Sequence, residues 1–118
     1  MNVSSYLRLV KTNGQVIGVL GDPTRREIFE LLSEHPASVG DLAALVPVSR
    51  PAVSQHLRIL KDAGLVLDER DGTRRIYRLD PDGVAEMRAY LDRFWNLAMA
   101  GFKQRVEQRT EQRREETT

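Results

Sequence analysis

The sequence predicts a mainly helical domain with one small β-hairpin, in winged helix-turn-helix order, on three observations. Two short amphipathic segments joined by Val46-Pro47-Val48 read as a helix-turn-helix. Two strand-like runs separated by Asp71-Gly72 follow directly, the pattern of a hairpin wing. A long amphipathic segment then begins at Asp80-Pro81.

Residues 1–13 show no clear period and are read as an N-terminal arm. Gln15 to Leu20 is a short apolar piece, expected to be helical and closed by Gly21. Asp22 can then cap free amides, and Pro23 suits a first helical position, where a missing N–H costs nothing. Ile28, Leu31 and Leu32 form the buried stripe of that helix, which His35-Pro36 stops. Ser38-Val39-Gly40-Asp41 has the form of a capping box, with Asp in the usual place of Glu or Gln. The short helix it starts carries Leu42, Ala43 and Leu45 and ends near Val46-Pro47.

Ser49 caps the next helix, and Pro51 lies in its first turn. Val53, Leu57 and Leu60, at i, i+4 and i+7, make its core stripe, and Ala63-Gly64 ends it. Residues 65–70 and 74–79 are the expected strands of the wing. In the final helix Val84, Met87, Leu91, Phe94, Trp95, Ala98 and Phe102 recur at three-to-four spacing. From Gln104 the chain is a charged, solvated tail. The expected organisation is therefore an arm at 1–13, one domain at 14–103 and a tail at 104–118, with no internal repeat.

A chain of 118 residues fits one compact domain, and so short a domain gains stability by pairing with a second copy. The absence of cysteine removes disulfides, thiolate metal sites and thiol redox sensing. No apolar run approaches a membrane span and the N-terminus lacks the order of a secretory signal, so the expected location is cytoplasmic.

The net charge of +1 conceals an uneven distribution. Between Ser49 and Leu79 there are seven basic residues against four acidic ones, while the segments on either side are slightly acidic. Such a local surplus suits a phosphate-facing surface. Helical projection sets Gln55 and Arg58 opposite the core stripe, flanked by Pro51 and Ser54, with Arg50 in the first turn. In a major groove Gln pairs with adenine, Arg with guanine and Ser with either. Lys61 extends this basic surface, and Thr73, Arg74 and Arg75 form a second cluster at the hairpin tip. A tip has no packing need for consecutive arginines, so these are expected on the DNA backbone. The expected DNA-binding set is thus Arg50, Pro51, Ser54, Gln55, His56, Arg58, Lys61, Thr73, Arg74 and Arg75. Gln55 and Arg50 are expected to read bases, and Arg74 and Arg75 to hold phosphates.

No catalytic constellation is present, since Ser54 and His56 diverge on one helix and no glycine-rich phosphate loop occurs. No metal and no cofactor is expected, because the two histidines, His35 and His56, lie on different helices without thiolates.

The stretches Asp22-Pro23-Thr24-Arg25-Arg26, residues 49–57, residues 60–66 and residues 74–79 together resemble the ArsR (arsenical resistance repressor) family, in unbroken order over about residues 15–100. The resemblance implies a dimeric winged-helix repressor that releases double-stranded DNA when an inducer binds, and two-fold symmetry makes an imperfect inverted repeat the expected operator. It places the base-contacting positions at Arg50, Pro51, Ser54 and Gln55. Metal-sensing members carry cysteines where this chain has Asp41-Leu42-Ala43-Ala44-Leu45, or Asp and His pairs on the last helix, where this chain has no histidine. The resemblance is therefore to the metal-independent branch.

A homodimer is expected on Val16, Ile17 and Leu20 together with Met87, Leu91, Phe94, Trp95 and Ala98, which approximate a heptad seam. Two other readings of the same fold are a sensor of a small organic ligand and a protein-interaction module. The sequence names neither an inducer nor an operator.

Overall fold

The computed structural model describes residues 15–117. The arm expected at 1–13 therefore lies outside the described residues. After a helical segment at 15–19 come α1 (Pro23–Glu34), α2 (Val39–Ala43), α3 (Arg50–Asp62), β1 (Val66–Asp71), β2 (Arg74–Leu79) and α4 (Pro81–Glu116). This is the expected winged helix-turn-helix order. The described residues up to Met87 form one compact unit, and those from Arg88 on form a second.

Local chemistry sets each boundary. The Asp22 carboxylate accepts the Arg25 N–H at 2.9 Å and Pro23 takes the first helical position of α1. His35, extended before Pro36, ends it. Ser38 and Asp41 form a reciprocal capping box, each side chain accepting the other's backbone N–H at 3.1 Å. α3 closes in a Schellman motif: Leu65 N–H reaches the Leu60 carbonyl at 3.0 Å and Gly64 N–H the Lys61 carbonyl at 2.9 Å, with Gly64 at φ 80°. A Cβ on Gly83 would overlap the Gly64 carbonyl oxygen, so only glycine lets the first turn of α4 seat on this loop.

Ile28, Leu42, Val53, Leu57, Leu60 and Leu65 are fully buried and fill the core of the first unit. Leu31, expected in the α1 stripe, is only half-buried, and Leu45 is exposed because α2 ends at Ala43, before it. The strands pair antiparallel from Val66–Leu79 to Asp71–Arg74. The turn is thus Gly72-Thr73, one residue later than expected. Only its first residue has positive φ, 65°, which is where a type II′ turn needs glycine. A bridge between Ala37 and Tyr77, closed by bonds of 3.0 and 2.8 Å, ties β2 to the loop before α2.

The segment expected as a solvated tail is helical as far as Glu116 and does not end the helix near residue 103. Beyond Gly101 it contains neither glycine nor proline, and its glutamines, glutamates and arginines are good helix formers. Among the described residues no helix is long and apolar enough to cross a membrane.

Candidate nucleic-acid interface

α3 divides its residues between core and solvent as its period requires. Val53, Leu57 and Leu60 are fully buried, whereas Arg50, Pro51, Ser54, Gln55, Arg58 and Lys61 are exposed. The Ser49 hydroxyl accepts the Ala52 N–H at 3.3 Å and starts the helix on this register. Ser54, Gln55 and Arg58 thus form an exposed polar face opposite a closed core.

His56 alone of the expected set is not exposed. It sits around the helix from Gln55, half-buried, and its Nδ1 is enclosed with no hydrogen-bond partner among the described residues. The Asp22 carboxyl is held below its ordinary value chiefly by the Arg25 N–H. Among the described residues no group of three or more His, Asp and Glu is placed to hold a metal ion.

Three of the wing cations, Arg74, Arg75 and Arg78, are exposed but ion-paired. Asp68 on β1, its side chain only 5% exposed, receives Lys61 of α3 at 2.7 Å and Arg75 of β2 by a shorter contact. Arg74 Nη2 donates to Ser38 Oγ at 2.9 Å and to Asp41 Oδ2 at 2.8 Å, joining the wing to the capping box of α2. Arg78 pairs with Glu69 within the hairpin. Two carboxylates, Asp41 and Asp68, therefore fasten the wing to both helices of the helix-turn-helix, and sequence reading assigned neither to the site. The alternation of β1 marks Asp68 as sharing a face with Val66, the one signal that could have pointed to it. Arg50, Arg58 and Arg70 form no ion pair among the described residues.

Hydrogen bonds from Lys61, and then Arg75, hold the Asp68 carboxyl below its ordinary value of 3.8 against the opposing effect of desolvation. A depressed carboxyl contributes stability that is complete above the ordinary value and is lost as pH falls through the lowered one. Asp68→Asn is accordingly expected to lower stability by about 1–2 kcal/mol in urea unfolding at neutral pH. The gap between the two proteins should close as the pH is taken below 3.8. A gap that stays constant into acid would contradict this role.

A hollow of about 510 Å³ opens between α2 and the wing, lined by Ser38, Val39, Gly40, Asp41, Arg50, Arg74 and Arg75. A second, of about 430 Å³, is lined by Gln15, Val16, Val19, Ile59, Asp62 and Ala63. Thr73, in the wing turn, is exposed.

The residues expected at a dimer face divide. Val16, 6% exposed, packs in the core of its own chain. Helical spacing from the α1 entry turns it inward with Val19, and Leu20 and Met87 also pack partly against that core. Ile17, Leu91, Phe94, Trp95 and Ala98 are exposed. On α4 they are joined by Phe102 and Val106, and Tyr90 meets Phe94 edge to face at 5.0 Å.

Residues 22–67 match the family model for bacterial regulatory proteins of the arsR family. The chain is similar to the HTH-type transcriptional regulator Rv2034 of Mycobacterium tuberculosis, with 56% identity over 88 residues, 75% of this chain and 82% of that protein. It is 40% identical over 65 residues, 55% of its length and 72% of the other's, to the transcriptional repressor SdpR of Bacillus subtilis. Among solved structures it resembles the homodimeric winged helix-turn-helix DNA-binding domain Mb0332 from Mycobacterium bovis. That likeness has 28% identity and a TM-score of 0.61, covering 79% of this chain and 83% of that one.

Proposed function

Since the chain belongs to the arsR family of bacterial regulatory proteins and is a DNA-binding transcriptional regulator, we propose that it is a cytoplasmic, homodimeric repressor that binds an inverted-repeat operator. It acts by occupying DNA rather than by catalysis. The observation that carries this reading is the outward face of α3, where Ser54, Gln55 and Arg58 stand in solvent above a fully buried stripe. Side chains so held reach base edges without any cost to the core. The repressor role is supported by the similarity to SdpR, and the dimer by the homodimeric domain from Mycobacterium bovis and by the exposed apolar stripe of α4. Two-fold symmetry puts the half-sites about one helical turn apart or a multiple of it.

The test begins by selecting bound duplexes from a random library and measuring affinity for a selected duplex and a scrambled one. Gln55→Ala is expected to cost about 1–3 kcal/mol on the selected duplex and little on the scrambled one. Equal losses on both would show that α3 does not read sequence.

A further inference from the structure

We propose that the hollow between α2 and the wing is a seat for one phosphodiester of the DNA backbone, and that Arg50 anchors that phosphate rather than reading a base. The proposal rests on the DNA-binding reading above and assigns a role within it.

Three guanidinium groups line this hollow, and their charges are not equivalent. Arg75 shares the Asp68 carboxylate with Lys61, and Arg74 is matched by Asp41. The Asp41 carboxylate also accepts the Ser38 N–H at 3.1 Å, and this bond, with the Ser38 hydroxyl and Arg74, keeps it ionised and held in place. Arg50 has no such partner among the described residues. Arg50 is thus the lining guanidinium left without a carboxylate, and the hollow keeps positive charge to meet the negative charge of a phosphodiester.

Geometry separates Arg50 from the reading residues. It stands at the first position of α3, and its guanidinium extends over Gly40 of α2, where an added Cβ would lie 3.4 Å from Nη2. It thus reaches back toward α2 and the wing instead of along the face that presents Ser54, Gln55 and Arg58. Arg74 spends one terminal nitrogen, Nη2, on Ser38 and Asp41. A guanidinium has five N–H donors in a planar fork, so Arg74 keeps others for an oxygen placed beside Arg50. Its attachment to the capping box fixes where that oxygen sits. A volume of about 510 Å³ admits a phosphate with its flanking sugar atoms.

A phosphate contact and a base contact leave different marks. Loss of a phosphate contact weakens all duplexes alike and lowers the salt slope of log K by about one unit, whereas loss of a base contact does neither. The experiment measures anisotropy with the selected and scrambled duplexes across a salt series, for wild type, Arg50→Ala and Arg50→Lys. Each protein's fold is checked by circular dichroism melting. Arg50→Ala is expected to weaken both duplexes by about five- to tenfold with a slope shallower by about one, and Arg50→Lys to keep the slope. In a second arm, single phosphates of the selected duplex are replaced by neutral methylphosphonate. One position per half-site should then weaken wild type by the same factor and leave Arg50→Ala unaffected. A loss confined to the selected duplex with an unchanged slope would make Arg50 a base reader and overturn the proposal. So would an unaltered affinity, or the absence of any methylphosphonate position that distinguishes the two proteins. Failure of wild type to bind any duplex would overturn the DNA-binding reading as well, and is distinguishable because it does not depend on the variants.

Discussion

Glutamate at both Phe94 and Trp95 is expected to leave the protein monomeric in sedimentation and to weaken binding to an inverted-repeat duplex at least about 100-fold. Leu91, Phe94, Trp95, Phe102 and Val106 lie on one stripe of α4, and Trp95 and Phe102 are 63% and 62% exposed. Covering one such side chain is favourable by roughly 1.5–3 kcal/mol, so a stripe of five, counted on each of two copies, drives pairing strongly. Two carboxylates buried in that seam would each lose their water without gaining a partner. A monomer meets one half-site at a time and forfeits the high effective concentration of the second reading helix, hence the expected loss. A dimer that persists in the double variant at micromolar protein would place the self-association elsewhere.

Leu57→Ala is expected to lower unfolding free energy by about 2–5 kcal/mol, the usual cost of removing a buried leucine and leaving a cavity. Leu57 is fully buried at the middle of α3, with Val53 and Leu60 on the same stripe. The loss is a large fraction of the ~5–15 kcal/mol that holds a domain together. Gln55→Ala, two residues earlier on the exposed face, should leave the urea midpoint nearly unchanged. The pair divides stability from recognition within one helix. A Leu57→Ala midpoint indistinguishable from wild type would mean that α3 is not packed as described.

Helices and their starts were legible because their causes are local. Asp22, Ser38 and Ser49 cap the helices that the sequence assigns to them, each through a partner three residues away. The stripe Val53, Leu57, Leu60 is a matter of period alone. The hairpin was legible, but its turn was displaced by one residue, since Asp71-Gly72 and Gly72-Thr73 both contain the glycine that such a turn requires. What local pattern does not carry is pairing between distant side chains. Arg74 and Asp41 lie 33 residues apart and meet only because the Ala37–Tyr77 bridge draws β2 against the start of α2. Charge counting therefore finds a basic segment yet cannot tell a free arginine from one already engaged. Val16 illustrates the same limit for apolar residues. Its spacing suits either a partner or its own core, and within the chain it packs into the core cluster.

Asp41, Asp68 and Glu69 together engage Lys61, Arg74, Arg75 and Arg78, so of the seven basic residues between Ser49 and Leu79 only Arg50, Arg58 and Arg70 are left without an ion pair. The consequence is kinetic. Long-range attraction to a duplex, and retention on arbitrary sequence while sliding, scale with uncompensated charge rather than with the arginine count. On the function proposed above, such a regulator is expected to stay only briefly on the vast excess of irrelevant genomic sites, and its residence at the target is expected to depend on the few groups that fit.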